Sequence, residues 1–228
     1  MKTFSKTAPV ISLAGLVLLV ACGGSLGTSP ATEPTSRVAP ASNTRAKLVN
    51  ITVENHGGAM EGHTPRGFQG MGTGLFAGDN LNRNFPDGDG VQIFLTFDLS
   101  GVPQGRVQSA VLRSENSSVS GTPFEDLGAL AAVEIRYARF SSALWDLAPV
   151  EDGANCILAK SASGPFQCDL SGAVQRSLDD SYRYAQFRVR FDEAGDRDGR
   201  QDLAAFFKRD SNTNEPGVFL LDVTILPD

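Results

Sequence analysis

Strict alternation of apolar and polar residues constrains this chain more than any other feature. In Tyr184–Phe191, Ala185, Phe187, Val189 and Phe191 fall on one face, and Gln186, Arg188 and Arg190 fall on the other. Side chains of a strand point alternately to its two faces, so this period of two predicts a half-buried β-strand and excludes an amphipathic helix. Val91–Leu99 is apolar on both faces, with Ile93, Leu95 and Phe97 opposite Phe94 and Thr96, and reads as a central strand. Arg106–Arg113, Ala132–Tyr137, Phe166–Leu170, Leu203–Lys208 and Val218–Leu226 follow the same pattern. Turn-forming clusters separate them: Pro86–Gly90, Gly101–Pro103, Gly195–Gly199 and Asn212–Gly217. One short helix is expected at Gly172–Leu178, with Ser171 as its N-cap, and the Gly-rich stretch His56–Gly90 reads as long loops with one strand near Leu75–Ala77. Many short strands and almost no helix predict an all-β fold, a jelly-roll-like sandwich of antiparallel strands.

The N-terminus has a different grammar. Lys2 and Lys6 precede an uncharged apolar run from Ala8 to Val20. That run is too short to span a ~30 Å hydrocarbon core and suits the apolar region of a signal peptide. It ends Leu19-Val20-Ala21-Cys22, which resembles the lipobox of bacterial lipoproteins. The resemblance implies cleavage after residue 21, acylation of Cys22, and a membrane partner reached through lipid. Gly23 after the cysteine points to the outer membrane in a host that has one. Residues 22–46 are rich in Ser, Thr, Pro and Ala and poor in large apolar residues, and read as a flexible tether. The folded domain is then 47–228. Removing Lys2 and Lys6 takes the formal charge from −6 to −8. A pI near 5.0 without a basic cluster argues against a nucleic-acid partner.

Three cysteines are present. With Cys22 assigned to lipid, Cys156 and Cys168 remain as a pair, which in an oxidising compartment reads as one disulfide.

Gly78-Asp79, then Phe94-Leu95-Thr96-Phe97-Asp98-Leu99-Ser100-Gly101-Val102-Pro103, then Ala110-Val111-Leu112 resemble the DNRLRE-type, or disaggregatase-related, β-sandwich domains of bacterial surface proteins. The likeness continues through Thr122-Pro123-Phe124, Val133-Glu134-Ile135, Gln186–Phe191 and the series Asp196, Asp198, Asp202 and Phe206. It implies a surface module of the carbohydrate-binding type.

Candidate chemistry is sparse. His56 and His63 sit in a quasi-repeat, Glu54-Asn55-His56 and Glu61-Gly62-His63, of zinc-ligand types on flexible segments. His56-Gly57-Gly58 is like an esterase oxyanion loop, but residues 47–228 contain no Gly-x-Ser-x-Gly elbow. Gly70–Gly74 is glycine-rich without the Lys-Ser/Thr that phosphate binding requires. Trp145, the only tryptophan, is a candidate for stacking on a sugar, with Tyr137, Tyr182 and Tyr184 as partners. The acidic turn Asp192–Asp202 is a candidate calcium loop, with Asp196, Asp198 and Asp202 as ligands of a structural Ca²⁺. These features favour a non-catalytic, lipid-anchored binding module of the cell envelope whose ligand is a glycan or envelope polymer. The rival readings are a structural envelope protein packing against partner proteins, and a secreted hydrolase using unrecognised carboxylates.

Overall fold

A computed structural model describes residues 46–52, 57–67, 74–79, 90–114, 116–207 and 219–227. They form two packed antiparallel sheets, so the fold is an all-β sandwich. The smaller sheet has the order β1 (Lys47–Thr52), β13 (Leu220–Pro227), β6 (Gly105–Ser114), β10 (Phe166–Asp169). The larger runs β7 (Ser117–Ser120), β12 (Asp202–Phe207), β4 (Gly74–Asp79), β5 (Val91–Asp98), β11 (Tyr184–Phe191), β8 (Leu130–Glu134), β9 (Asn155–Ala159). A hairpin of β2 (Gly58–Glu61) and β3 (Thr64–Gly67) joins it by pairing β2 with β5.

The main core lies between the sheets, as the alternation requires. Leu221, Val223 and Ile225 of β13 and Ala110 and Leu112 of β6 face Ile93, Leu95 and Phe97 of β5 and Phe187, Val189 and Phe191 of β11. Phe166 meets Phe206 edge-on at 5.4 Å, and Phe97 lies 6.3 Å from Phe187. Each large apolar side chain fully buried here contributes about 1.5–3 kcal/mol. The outer face of the smaller sheet is half-buried and mixed, with Val111 and Leu220 beside Arg113, whose Nε donates to Asp222 Oδ2 at 2.5 Å across the β6–β13 ladder.

The larger sheet is covered on its outer face too, by the segment after β8. Met60, Phe94, Ile135, Tyr137 and Leu144 form a second apolar cluster, with Phe140, Trp145 and Leu147 packed against it. This corrects the reading of β11 as half-buried. Gln186 and Arg188 are 3% and 5% exposed, because a non-strand segment remote in sequence roofs the face they occupy.

Four local expectations change. The stretch read as loops contains the β2–β3 hairpin, whose Ala59 and Met60 are fully buried on opposite faces; four residues are too few for alternation to register. The polar edge strand β7 and the short β9 carry no clear periodic signal. Strand β8 covers Leu130–Glu134 and ends before Tyr137. Helix α2 spans Ser171–Asp179, but Ser171 is not its cap: its hydroxyl accepts the Ala110 N–H at 2.8 Å, while Asp169 Oδ1 accepts the Ser171 N–H at 2.7 Å. The preceding helix, α1 (Pro123–Asp126), is a single turn.

Cys156 and Cys168 are disulfide-bonded, with Cα atoms 5.9 Å apart. Their strands, β9 and β10, are edges of different sheets, so the bridge staples the two layers together along one side. Among the described residues no helix is long and apolar enough to cross a membrane.

Candidate functional site

The four aromatic residues expected to meet a sugar occupy three environments. Tyr137 is buried, which corrects its assignment to a stacking surface. Its hydroxyl pairs with Thr96 Oγ1 at 2.8 Å, and burial holds its phenol far above the usual range of ionisation. Trp145 closes a short 3-10 turn (Ser142–Leu144), with its side chain packed against the second cluster and its carbonyl accepting from Arg188 Nη1 at 3.2 Å. Trp145 thus packs with Leu147 in that roof.

Tyr182 and Tyr184 remain half-exposed at the start of β11. Their rings meet edge-on, with centroids 6.4 Å apart and planes at 84°. Each carries a guanidinium over one face: Arg136 lies 5.0 Å from the Tyr182 centroid and Arg183 lies 5.1 Å from that of Tyr184. Both arginines are anchored by acids. Arg136 Nη2 donates to Asp180 Oδ2 at 2.6 Å, and Arg183 donates to Asp98 through Nη2 at 2.5 Å and Nε at 3.1 Å. The hydrogen bonds from Arg183 hold the Asp98 carboxyl down at about 2, against the opposing effect of burial.

The tyrosine pair is wired to the interior through Gln186. Tyr182 Oη donates to Gln186 Oε1 at 3.0 Å, which also accepts the Tyr137 N–H at 2.9 Å, while Gln186 Nε2 donates to the Tyr137 carbonyl at 2.9 Å. The backbone fixes Tyr182 from the other side. Ser181 ends the α2 turn at φ 54, and the Tyr182 N–H donates to the Ser177 carbonyl at 2.7 Å. A cavity of about 210 Å³ adjoins the pair, with buried Leu99, Val102 and Leu178 beside Ser100, Tyr182 and Arg183. Aromatic rings with fixed tilt, flanked by charged hydrogen-bonding groups and an apolar recess, can hold a ligand that has both apolar faces and hydroxyls.

The acidic turn is not assembled as expected. Asp196 Oδ1 accepts the Asp198 N–H at 3.0 Å, and Asp198 Oδ1 accepts the Arg200 N–H at 2.7 Å; both side chains are exposed and shape the turn locally. Asp202 is turned inward as the first residue of β12 and is only 2% exposed. The three do not converge, and among the described residues no group of three or more His, Cys, Asp or Glu could hold a metal. His63 Nε2 lies 3.0 Å from Asp146 Oδ2 in an exposed pair, whereas His56 lies outside the described residues, as does Cys22. Residues that sequence reasoning passed over are Gln186, Arg188 and Asp79, all buried. Arg188 lies opposite Phe94 and Val133, Gln186 opposite Thr96, and Asp79 opposite Asp202, pairings that only the tertiary structure reveals.

No protein-family profile matches the chain, and no curated protein matches it either.

Proposed function

We propose that the sandwich is a non-catalytic binding module, held at a cell envelope by lipid on Cys22, and that it recognises a glycan or envelope polymer at Tyr182 and Tyr184. The observation that carries this reading is the half-exposed tyrosine pair, rigidly tilted and bordered by Arg136, Arg183 and a recess. A sugar ring offers apolar C–H faces to tyrosine and hydroxyls to carboxylate and guanidinium, and a ligand held this way gains from the ordering the protein has already undergone. The likeness of Phe94–Pro103 to DNRLRE-type domains supports the same class of ligand.

A glycan array probed with the chain from Lys47 onward tests this. A hit that weakens at least tenfold in Tyr184→Ala, with unchanged melting temperature, supports the reading. Binding to envelope protein but to no glycan would instead favour the structural-protein alternative.

A further inference from the structure

Asp79 and Asp202 make an unusual pair. They are direct cross-strand partners in the β4–β12 ladder, followed by Ala77 opposite Ala204 and Leu75 opposite Phe206. Opposed residues of an antiparallel ladder share a face, and those four apolar partners belong to the main core. Both aspartates therefore project between the sheets, at one end of the sandwich, and are 4% and 2% exposed. Like charges directly opposite one another destabilise a ladder, and burying them raises the cost.

The protein's own groups satisfy the pair only in part. Asp79 Oδ2 accepts the Arg197 backbone N–H at 3.3 Å. Asp202 Oδ1 accepts the Thr122 backbone N–H, and Thr122 Oγ1 lies 3.5 Å away. Asp202 Oδ2 is fully buried and has no hydrogen-bond partner. Among the described residues neither carboxylate takes part in an ion pair; Arg200 pairs with Asp198. The surroundings are packed so closely that side chains are excluded. A Cβ on Gly121 would collide with Asp202 Oδ1 and the Gln201 carbonyl, and one on Gly195 would stand 3.1 Å from Asp79 Oδ2.

We propose that Asp79 and Asp202 hold one structural Ca²⁺, and that this ion, rather than the exposed turn aspartates, is what the acidic end of the sandwich binds. Two carboxylates balance one divalent charge. The donors named are all oxygen, with the Gln201 carbonyl beside Asp202 Oδ1, which suits a hard cation and disfavours zinc. Calcium accepts carbonyls, waters and irregular geometry, whereas Mg²⁺ demands near-ideal octahedral geometry at shorter distances.

The test uses the purified full-length chain stripped of metal by chelator. Added Ca²⁺ at a hundredfold excess over Kd raises the melting temperature by mass action, on the order of 5 °C for a domain of this size. Titration calorimetry then reads one Ca²⁺ per chain. Asp202→Asn abolishes both responses, and its metal-free melting temperature does not fall below that of stripped wild type, because one of two opposed charges is gone. Should Asp202→Asn fail to fold, Asp79→Asn carries the same expectation. The Asp196→Ala, Asp198→Ala double variant keeps the full response. Stripped wild type that neither binds nor responds to about 5 mM Ca²⁺ overturns the proposal. So does a response retained in Asp202→Asn and Asp79→Asn, or an equal response to Mg²⁺.

Discussion

Asp98 shows how one side chain serves packing and surface chemistry together. It ends β5, accepts the Ser100 N–H at 2.9 Å, and takes the Arg183 guanidinium that also lies over Tyr184. Its carboxyl titrates at about 2 in the folded chain, below its unfolded value near 3.8, chiefly through the Arg183 hydrogen bonds. A depressed carboxylate stabilises the fold above its unfolded pKa, and that contribution is lost as pH falls through the folded one. Asp98→Asn therefore lowers stability at neutral pH by about 1 kcal/mol, a figure reduced by solvent screening of an arginine side chain that is 62% exposed. The difference from wild type closes between about pH 4 and pH 2, and urea melts across that range measure it. Glu134 combines the same forces with a different balance. Burial alone would raise its carboxyl, but Arg176 at 2.8 Å and the Ala154 N–H at 3.0 Å offset this and leave it below the ordinary value.

At the scale of elements, the chain crosses repeatedly between the sheets, and β9 to β10 is one such crossing. Both are edge strands, and no ladder hydrogen bonds join them, so the Cys156–Cys168 bridge is the covalent tie on that side. Closing a loop of this length stabilises by about 3 kcal/mol in the chain-entropy account. Cys156→Ser with Cys168→Ser is expected to fold, because Phe166, Leu158 and Leu170 remain buried, but to melt on the order of 5–10 °C lower, by calorimetry. Wild type in reductant should fall to the same value. An unchanged melting temperature would show that burial alone holds the two edges. Helix α2 contributes differently: it buries Ala173, Val174 and Leu178 and uses Gln175 Oε1 to accept the Val107 N–H at 2.7 Å, packing against β6.

For the whole molecule, the two cores divide the labour. The inter-sheet core supplies cohesion, and the outer cluster roofs β5 and β11 and carries the Gln186 network that orients Tyr182. Cys22→Ser is expected to leave the protein soluble and unacylated, with an unaltered melting temperature, since the strands of the described sandwich lie within Lys47–Pro227. Detergent phase partitioning reads the outcome. Wild type and variant partitioning alike into the aqueous phase would refute the anchor.

Sequence by itself determined the strands whose two faces differ. Tyr184–Phe191 is legible because successive side chains of a strand point to opposite faces, so eight residues of apolar–polar alternation mark a strand whatever covers its polar face. The pairing of Cys156 with Cys168 was also legible, because the lipobox-like setting of Cys22 sets that cysteine apart from the other two. Tertiary structure decided what depends on a neighbour remote in sequence. Gln186 and Arg188 are polar residues on a nominally wet face, and only the covering segment makes them buried. Tyr137 and Tyr182 are one residue type, yet Tyr137, itself in the covering segment, turns its hydroxyl inward to Thr96, whereas Tyr182 precedes β11 and is half-exposed. Asp79 and Asp202 are 123 positions apart and become partners only through the β4–β12 register. Local sequence carries periodicity, since that is set by the residue's own backbone geometry; which strand lies alongside, and what roofs it, is set by packing free energy summed over the whole fold.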